Sequence, residues 1–283
     1  MVIFHDPLCA DYGSTMRPEQ PARVIRSAAH LRAAHPDWIW RAPVVAADAT
    51  VLLAHTPAHL RRLARPVDFD ADTPYFPGIG DHARRAVGAA TAAASAALGG
   101  EKAFSLMRPP GHHATAGQAM GFCYLNSIAC AALHAQQQGA GRVAIWDFDA
   151  HHGNGTEAIL QGRSGILFAS VHQSPGYPGT GTASFANCRN WPVPPRGPRE
   201  DHLAALAESW EAVLAFRPEL VLISAGFDAY SDDPITEMTL ETDDFTTLGQ
   251  WLKAGGIPAA AVLEGGYSQK LPRLIDAFLE AWS

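Results

Sequence analysis

The sequence has few cysteines, few basic residues and no long apolar run. Four cysteines, Cys9, Cys123, Cys130 and Cys188, show no C-x-x-C spacing and lie in apolar or mixed segments, which favours buried, reduced thiols. The formal net charge is −7, from 21 Lys and Arg against 28 Asp and Glu. This balance argues against nucleic acid or anionic lipid as a partner and is compatible with a cationic or amine-bearing ligand.

No targeting or membrane segment is predicted. A charged and apolar signal pattern does not precede "FHDPLCADYG", and the most apolar long stretch, "AVGAATAAASAALGG", is too short to span a bilayer. We therefore expect a cytoplasmic protein that does not enter the membrane.

The composition is that of a globular enzyme. The 283 residues are 47% hydrophobic and 17% charged, so they can bury a sizeable core. From residue 80 onward, helix-like and strand-like segments alternate with short connections, which predicts a mainly parallel sheet covered by helices. Without a repeat or a composition break, we predict a single domain over 1–283, with 1–80 forming irregular structure and loops.

Local signals place several elements. Asp81 is predicted to cap an alanine-rich helix that stops at Gly99, and Asn126 is predicted to cap a second helix that ends before Gly139. Apolar runs predict buried strands within "AFSLM", "RVAIWDF", "GILFASVH", "ELVLISAG" and "PAAAVLEGG". The motifs "RPPGHH", "DFDAHH", "GFDAY" and "EGGY" each follow the carboxyl end of such a strand, which is the edge where parallel sheets bind ligands.

The first candidate site is a metal site. If the chain stays extended after "RVAIW", Asp147, Asp149 and His151 project to the same side. One imidazole and two carboxylates, from Asp149, His151 and Asp228, would leave a coordination position open for water or substrate. Zinc suits this set best, although iron(II) and manganese are compatible with it. The alternative is that these residues only cap a helix and begin a turn.

The second candidate is an acid-base pair. His112 and His113 are adjacent on a loop stiffened by two prolines, and histidine exchanges protons near neutral pH. Asp147 and Asn154 are available to orient the two rings, and the histidine beside the neutral Asn154 should be the freer base. Tyr267 follows two glycines and could donate a hydrogen bond to an oxyanion, unless it is an ordinary tyrosine at the sheet edge.

These motifs together resemble the histone deacetylase superfamily, which includes acetylpolyamine amidohydrolases. "RPPGHHA", "GFCYLNS", "DFDAHHGNGT", "SPGYPGTG", "GFDAYSDDP" and "LEGGY" occur in the family's order over roughly residues 70–270. The asparagine at 154 and "GFDA" are similar to the class II and bacterial branches. The resemblance implies an arginase-like three-layer α/β/α fold and zinc-dependent hydrolysis of an amide.

The resemblance also implies roles for individual residues. Those that match the zinc ligands are Asp149, His151 and Asp228; the tandem histidines and their partners are His112, His113, Asp147 and Asn154; and Tyr267 matches the tyrosine that polarises the acyl carbonyl. Substrate contacts are implied for Gly121, Phe122 and Tyr177 in an acyl-lysine tunnel and for Asp72 at its rim. A structural potassium site is implied at Asp147, Asp149, His151, Ser170 and Val171.

The resemblance leaves the substrate open between an acetyl-lysine peptide, an acetylated polyamine and another small acylamide. One departure bears on this choice, because Arg17 in "STMRPEQPARV" stands where the family's motif usually has histidine. Two rival interpretations are a two-metal ureohydrolase on the same fold and a non-catalytic protein that binds acyl-amines. The first needs further carboxylates beside the metal, and the second would be expected to lack the histidine base or the tyrosine.

Overall fold

The centre of the protein is an eight-stranded sheet in which every pairing is parallel. The computed structural model describes residues 1–283. In spatial order the strands are β2 (Ile39–Arg41), β1 (Val2–Phe4), β3 (Ala103–Ser105), β8 (Ala259–Leu263), β7 (Leu220–Ala225), β4 (Val143–Asp147), β5 (Ile166–Gln173) and β6 (Cys188–Val193). The strands β1, β3, β4, β7 and β8 are buried along their whole length, as expected for a sheet covered on both faces.

Helices cover this sheet and complete a three-layer α/β/α arrangement, which confirms the predicted fold class. They are α1 (Ala22–Ala34), α2 (Asp48–Val51), α3 (Pro57–Leu63), α4 (Ile79–Leu98), α5 (Ser127–Gln137), α6 (Asn154–Leu160), α7 (Arg199–Phe216), α8 (Thr242–Gly255) and α9 (Leu271–Trp282). α4 and α5 pack on each other and on the sheet, whereas α8 packs on α9 and α9 on α1. None of the helices combines the length and apolar character needed to cross a lipid bilayer.

Two local predictions have different outcomes. Asn126 caps α5 as predicted, with its side chain accepting a hydrogen bond from the Ala129 N–H at 2.9 Å. Asp81 does not cap α4, because this helix begins two residues earlier at Ile79, after Gly78 in a left-handed conformation. Asp81 lies instead in the first turn, where its negative charge favours the helix N-terminus.

The prediction that residues 1–80 are irregular is wrong. This segment supplies β1 and β2, which extend the sheet beyond β3, and α1, which packs against α9. Strands of three residues carry too little pattern to be recognised in a sequence. The segment also contributes buried polar side chains, including Glu19 and Arg23, that reach the carboxyl edge of the sheet.

The core lies directly beneath the motifs. All four cysteines are unpaired and buried, as predicted. Phe148 lies between two aspartates in sequence, and its ring packs on Phe278 with centroids 5.4 Å apart. Phe227, the residue before Asp228, packs on Phe245 at 5.3 Å. These aromatic anchors fix the backbone on both sides of the polar groups at the sheet edge.

Candidate active site

Four neighbouring strands carry the candidate residues at their carboxyl ends. β3, β8, β7 and β4 are consecutive in the sheet, and the segments that follow them contain His112 and His113, Tyr267, Asp228, and Asp149 with His151. Side chains that are far apart in sequence are therefore brought to one edge by the parallel pairing alone.

The condition considered in the sequence, a chain that stays extended after β4, is not met. β4 ends at Asp147, and the chain then bends over 149–151. The Asp147 carboxylate accepts a hydrogen bond from the Asp149 N–H at 3.1 Å, and the Asp149 carboxylate accepts one from the His151 N–H at 2.9 Å. Carboxylates that bind the backbone two residues on stabilise turns, so these hydrogen bonds, rather than strand periodicity, bring the side chains together.

Asp149, His151 and Asp228 form one compact group. Each offers a ligand atom, and these atoms lie within 4.8 Å of one another. Nδ1 of His151 is 2.9 Å from an Asp228 oxygen and 3.2 Å from an Asp149 oxygen. The two carboxylates are fully buried, whereas His151 is partly exposed to the adjoining cavity.

The surroundings of this group fit a divalent cation. Burial and the nearby Asp149 charge raise the pKa of Asp228, and a bound cation would offset both penalties. Backbone N–H groups hold the outer carboxylate oxygens: Ala150 donates to Asp228 at 2.9 Å and Gly265 to Asp149 at 2.7 Å. A Cβ atom on Gly265 would lie 2.2 Å from an Asp228 oxygen, so the close approach of this backbone requires glycine.

The two histidines beside the metal group have different partners. His112 Nδ1 lies 3.0 Å from an oxygen of Asp147, and His113 Nδ1 lies 2.8 Å from the amide oxygen of Asn154. Because an amide oxygen only accepts, His113 must donate from Nδ1, which leaves Nε2 free to accept a proton. The two rings lie 4.1 Å apart between centroids.

These partners give the two rings opposite electrostatics. Burial opposes a charge on His112, but the carboxylates of Asp149, Asp147 and Glu264 raise its pKa well above the usual range. Burial and the positive charges of His112 and His151 lower the pKa of His113 far below that of a free histidine. These surroundings favour the charged form of His112 and the neutral form of His113.

Tyr267 is fixed through its backbone and its ring. The carboxylate of Asp233 accepts hydrogen bonds from the N–H groups of Tyr267 at 2.7 Å and Ser268 at 3.2 Å. The Arg23 guanidinium lies 4.7 Å from the centre of the Tyr267 ring, and it donates to the carbonyls of Gly266 at 2.7 Å and Glu264. The turn that carries the tyrosine is therefore held from two sides.

A buried network that was not predicted from the sequence lies behind these groups. Glu264 accepts hydrogen bonds from the N–H groups of Gly111 at 2.6 Å and His112 at 3.2 Å, and burial raises its pKa to about 7. Arg108 binds both oxygens of Glu19, and Glu19 also contacts Arg23 at 3.4 Å. Two signals for this network were present in the sequence: Glu264 inside "VLEGGY" and Arg108 between "SLM" and a double proline. Charged residues at the ends of buried strands need partners in the core.

A cavity of about 300 Å³ reaches the metal group at His151 and also contacts His113. Its lining residues are Arg17, Pro18, Asp72, His113, Gly121, Phe122, His151, Tyr177, Ile235 and Tyr267. Phe122 and Tyr267 face each other with ring centroids 5.8 Å apart, and Tyr177 lies edge-on to His113 at 5.0 Å. All four residues predicted to contact substrate, Asp72, Gly121, Phe122 and Tyr177, line this cavity.

The segment 121–122 has an unusual backbone. Gly121 has φ +56°, and Phe122 has φ +68°, which is rare for a side chain of this size. A Cβ atom on Gly121 would lie 2.6 Å from the His113 ring. The Thr73 hydroxyl accepts a hydrogen bond from the Phe122 N–H at 3.2 Å, so strain in this loop coincides with the placement of an aromatic wall.

The residues expected to bind potassium are also neighbours. Asp147 and Ser170 are paired positions on the adjacent strands β4 and β5, and Val171 follows Ser170. The Ser170 hydroxyl and His172 Nδ1 lie 2.9 Å apart. Asp149 and His151 belong to the bend that follows β4.

Comparisons with known proteins agree with this geometry. The family model of the histone deacetylase domain matches residues 17–282. A probable deacetylase of Methanothermobacter thermautotrophicus is 36% identical, with 84% of this chain and 77% of the relative covered. The HD domain of HDA15 superposes with a TM-score of 0.92 and 30% identity, covering 99% of this chain and 90% of that one.

A second solved structure, the acetylpolyamine aminohydrolase of Burkholderia pseudomallei, gives a TM-score of 0.88 at 27% identity and covers 100% of this chain and 98% of that one. The family match spans nearly all of the chain. The chain therefore belongs to the histone deacetylase and acetylpolyamine amidohydrolase superfamily.

Proposed function

We propose that this protein is a zinc-dependent amidohydrolase that removes an acetyl or related acyl group from an amine. The observation that carries the proposal is the arrangement around one cavity of a three-ligand group, a histidine whose Nδ1 is bound by Asn154, and a tyrosine. Residues 1–283 would form one catalytic domain, because all eight strands belong to the sheet whose edge carries the site.

Asp149, His151 and Asp228 would hold the metal, for which zinc is the first choice and iron(II) the second. Such an ion polarises an acyl carbonyl and acidifies a water molecule. The two carboxylates and the imidazole would occupy three positions and leave the cavity side open, where His151 is partly exposed.

The side chains around the metal group would then divide the proton transfers. His113 accepts the proton of the attacking water at Nε2, because its Nδ1 is engaged by Asn154. The same ring returns the proton to the departing amine. His112, kept charged beside Asp147, stabilises negative charge near the reacting carbon, and the Tyr267 hydroxyl donates to the acyl oxygen as it becomes an oxyanion.

The remaining predicted residues have roles in binding. Phe122 and Tyr177 would flank the extended alkyl chain of the substrate, with Gly121 giving it room, and Asp72 would contact its outer end. We also propose a structural potassium ion among the oxygens of Asp147, Asp149, His151, Ser170 and Val171, where it would stiffen the junction of β4 and β5. Its removal would lower the stability of the metal group rather than abolish the chemistry.

The substrate is an acylated amine, and acetyl-lysine peptides and acetylated polyamines are the two leading classes. The structural similarity to an acetylpolyamine aminohydrolase supports the second class. We propose that the protein is cytoplasmic and that it binds neither nucleic acid nor membranes. No oligomeric state is proposed.

The test is amine release by the purified, zinc-loaded protein from an acetyl-lysine peptide and from N-acetylated putrescine and spermidine, assayed side by side. Asp228→Asn should lose both zinc and turnover. The exposed Asp232→Asn, on the same segment, is the matched control and should keep both. Release from none of these substrates by a fully loaded protein, with acyl-lysine still bound, would instead support the non-catalytic binder.

A further inference from the structure

The mouth of the cavity carries one charge of each sign. Arg17 and Asp72 both line it. Asp72 is exposed and Arg17 is half-buried, whereas His113 at the inner end is buried. The two charges therefore lie at the outer end, beyond the aromatic walls, where the part of a substrate that does not react must sit.

The Arg17 guanidinium and the Asp72 backbone are held in position, yet neither side-chain charge is neutralised by a partner. Nη1 of Arg17 donates to the carbonyl of Ala71 at 3.1 Å, which places the guanidinium beside the residue that precedes Asp72. The fifteen ion pairs of the protein include neither Arg17 nor Asp72. An unpaired cation and an unpaired anion on one cavity rim can each bind a ligand group of opposite charge.

The loop that carries Asp72 is ordered by its own contacts. The carboxylate of Asp70 accepts hydrogen bonds from the N–H groups of Asp72 at 2.9 Å and Thr73 at 2.6 Å. Thr73 in turn binds the backbone of Phe122. The Asp72 carboxylate itself stays free, and its position is tied to that of an aromatic wall of the cavity.

We propose that this rim recognises the zwitterionic head group of a free amino acid, so that the preferred substrate is an ω-N-acylated diamino acid such as Nε-acetyl-lysine. Asp72 binds the α-ammonium group and Arg17 binds the α-carboxylate. This inference rests on the proposed function and narrows its substrate class.

The competing substrate classes match the rim less well. A polyamine carries only positive charges, which Asp72 attracts but Arg17 repels. An internal peptide residue offers neutral N–H and C=O groups, so both rim charges would meet dipoles only. A free amino acid presents both charges on one carbon atom, and specificity arises because each alternative leaves at least one rim charge mismatched.

The experiment compares kcat/KM of the zinc-loaded protein for four substrates. They are Nε-acetyl-lysine, its α-carboxamide, which keeps only the ammonium group, its Nα-formyl derivative, which keeps only the carboxylate, and N-acetylputrescine. The free amino acid should exceed each singly blocked form by about two- to fivefold, the usual scale for an exposed ion pair.

Charge removal on the protein should mirror these differences. Arg17→Gln should reduce kcat/KM at least twice as much for the two carboxylate-bearing substrates as for the carboxamide, and it should improve the relative rate with N-acetylputrescine. Asp72→Asn should reduce kcat/KM at least twice as much for the ammonium-bearing substrates, N-acetylputrescine included, as for the Nα-formyl derivative. The control is Arg189→Gln, an exposed arginine on β6 away from the cavity, which should keep the wild-type order.

Equal kcat/KM values for the free and blocked forms, or losses of the same factor for every substrate in both variants, would overturn the inference. Failure of the proposed function gives a different result, namely no amine from any substrate. In that case, calorimetric binding of Nε-acetyl-lysine decides. Binding weakened by Arg17→Gln upholds rim recognition, and the absence of binding overturns it as well.

Discussion

His112 and His113 are adjacent in the chain and nearly in contact, yet the protein gives them opposite electrostatics. Carboxylates from Asp147, Asp149 and Glu264 surround His112 and raise its pKa. A neutral amide contacts His113, and burial with neighbouring positive charge lowers its pKa. In the proposed mechanism, the same residue type would therefore supply a fixed charge and a proton acceptor at one site, according to which group binds the far ring nitrogen.

The different partners of His112 and His113 could be predicted in part from the sequence. The order of the motifs and the short segments "RPPGHH" and "DFDAHHGN" place one aspartate and one asparagine near the tandem histidines, and the structure brings each beside a different ring. What the sequence could not give was the turn after β4, because side chain to backbone hydrogen bonds override strand periodicity there.

The N-terminal segment was the main failure of the sequence analysis. Its strands are too short to show periodicity. Its contribution to the site comes from Glu19, which binds Arg108 more than 80 residues away, and from Arg23, which binds Gly266 more than 240 residues away. Long-range ion pairs of this kind leave no local pattern. The helices expected after Asp81 and Asn126 and the buried strands β3, β4, β5, β7 and β8 were predicted because each carries a cap, a stop or a continuous apolar run, whereas α6 and the edge strand β6 were not predicted.

The largest effect is expected from removing the proton acceptor. His113→Ala should lower kcat by about a thousandfold, within the range of general acid-base catalysis, while His112→Ala should cost clearly less because a stabilising charge rather than the base is lost. Steady-state kinetics with zinc content measured for each variant provides the check. Equal losses in the two variants would remove the distinction between the rings.

Tyr267→Phe should come next, with kcat reduced by about a hundredfold, the usual scale for losing one oxyanion donor. The variant keeps the ring that contacts Phe122 and Arg23, so zinc content and the melting temperature should stay unchanged. Turnover at the wild-type rate would exclude the phenol from the reaction and leave the two histidines as the only protein groups acting on the proton and the charge.

Asn154→Asp makes the surroundings of the two rings alike and should affect the pH profile. The new carboxylate raises the pKa of His113, so the ring stays protonated to higher pH and the acidic limb of kcat/KM moves upward. Activity at pH 7 should fall by about tenfold and recover toward the alkaline end. Asp147→Asn is the matching control, because it makes the two surroundings alike by giving both rings an amide partner. An acidic limb that moves to lower pH in Asn154→Asp would contradict the account.

The smallest effect concerns the third carboxylate beside His112. The Glu264 pKa is raised by burial to about 7, above its value of about 4.3 in an unfolded chain. Its neutral form is thus favoured by folding, and the associated stability is present below about pH 4 and is lost as pH rises toward 7.

Glu264→Gln should remove that dependence. Between pH 4.5 and 7.5 the free energy of unfolding of the metal-free protein should decline by about 1–3 kcal/mol more in the wild type than in the variant. Denaturant titrations at several pH values measure this difference. Parallel pH dependences in the two proteins would show that Glu264 does not change its protonation on folding.

The central claim is that one metal ion at Asp149, His151 and Asp228 enables the two histidines to hydrolyse an acyl-amine. The most direct measurement is a titration of the metal-stripped protein with zinc, in which amine release from acetyl-lysine substrates is followed against the number of ions added per chain. The account predicts that activity rises linearly and reaches its maximum at one equivalent. A maximum only at two equivalents, as a two-metal ureohydrolase would show, or amine release that is independent of zinc, would contradict it.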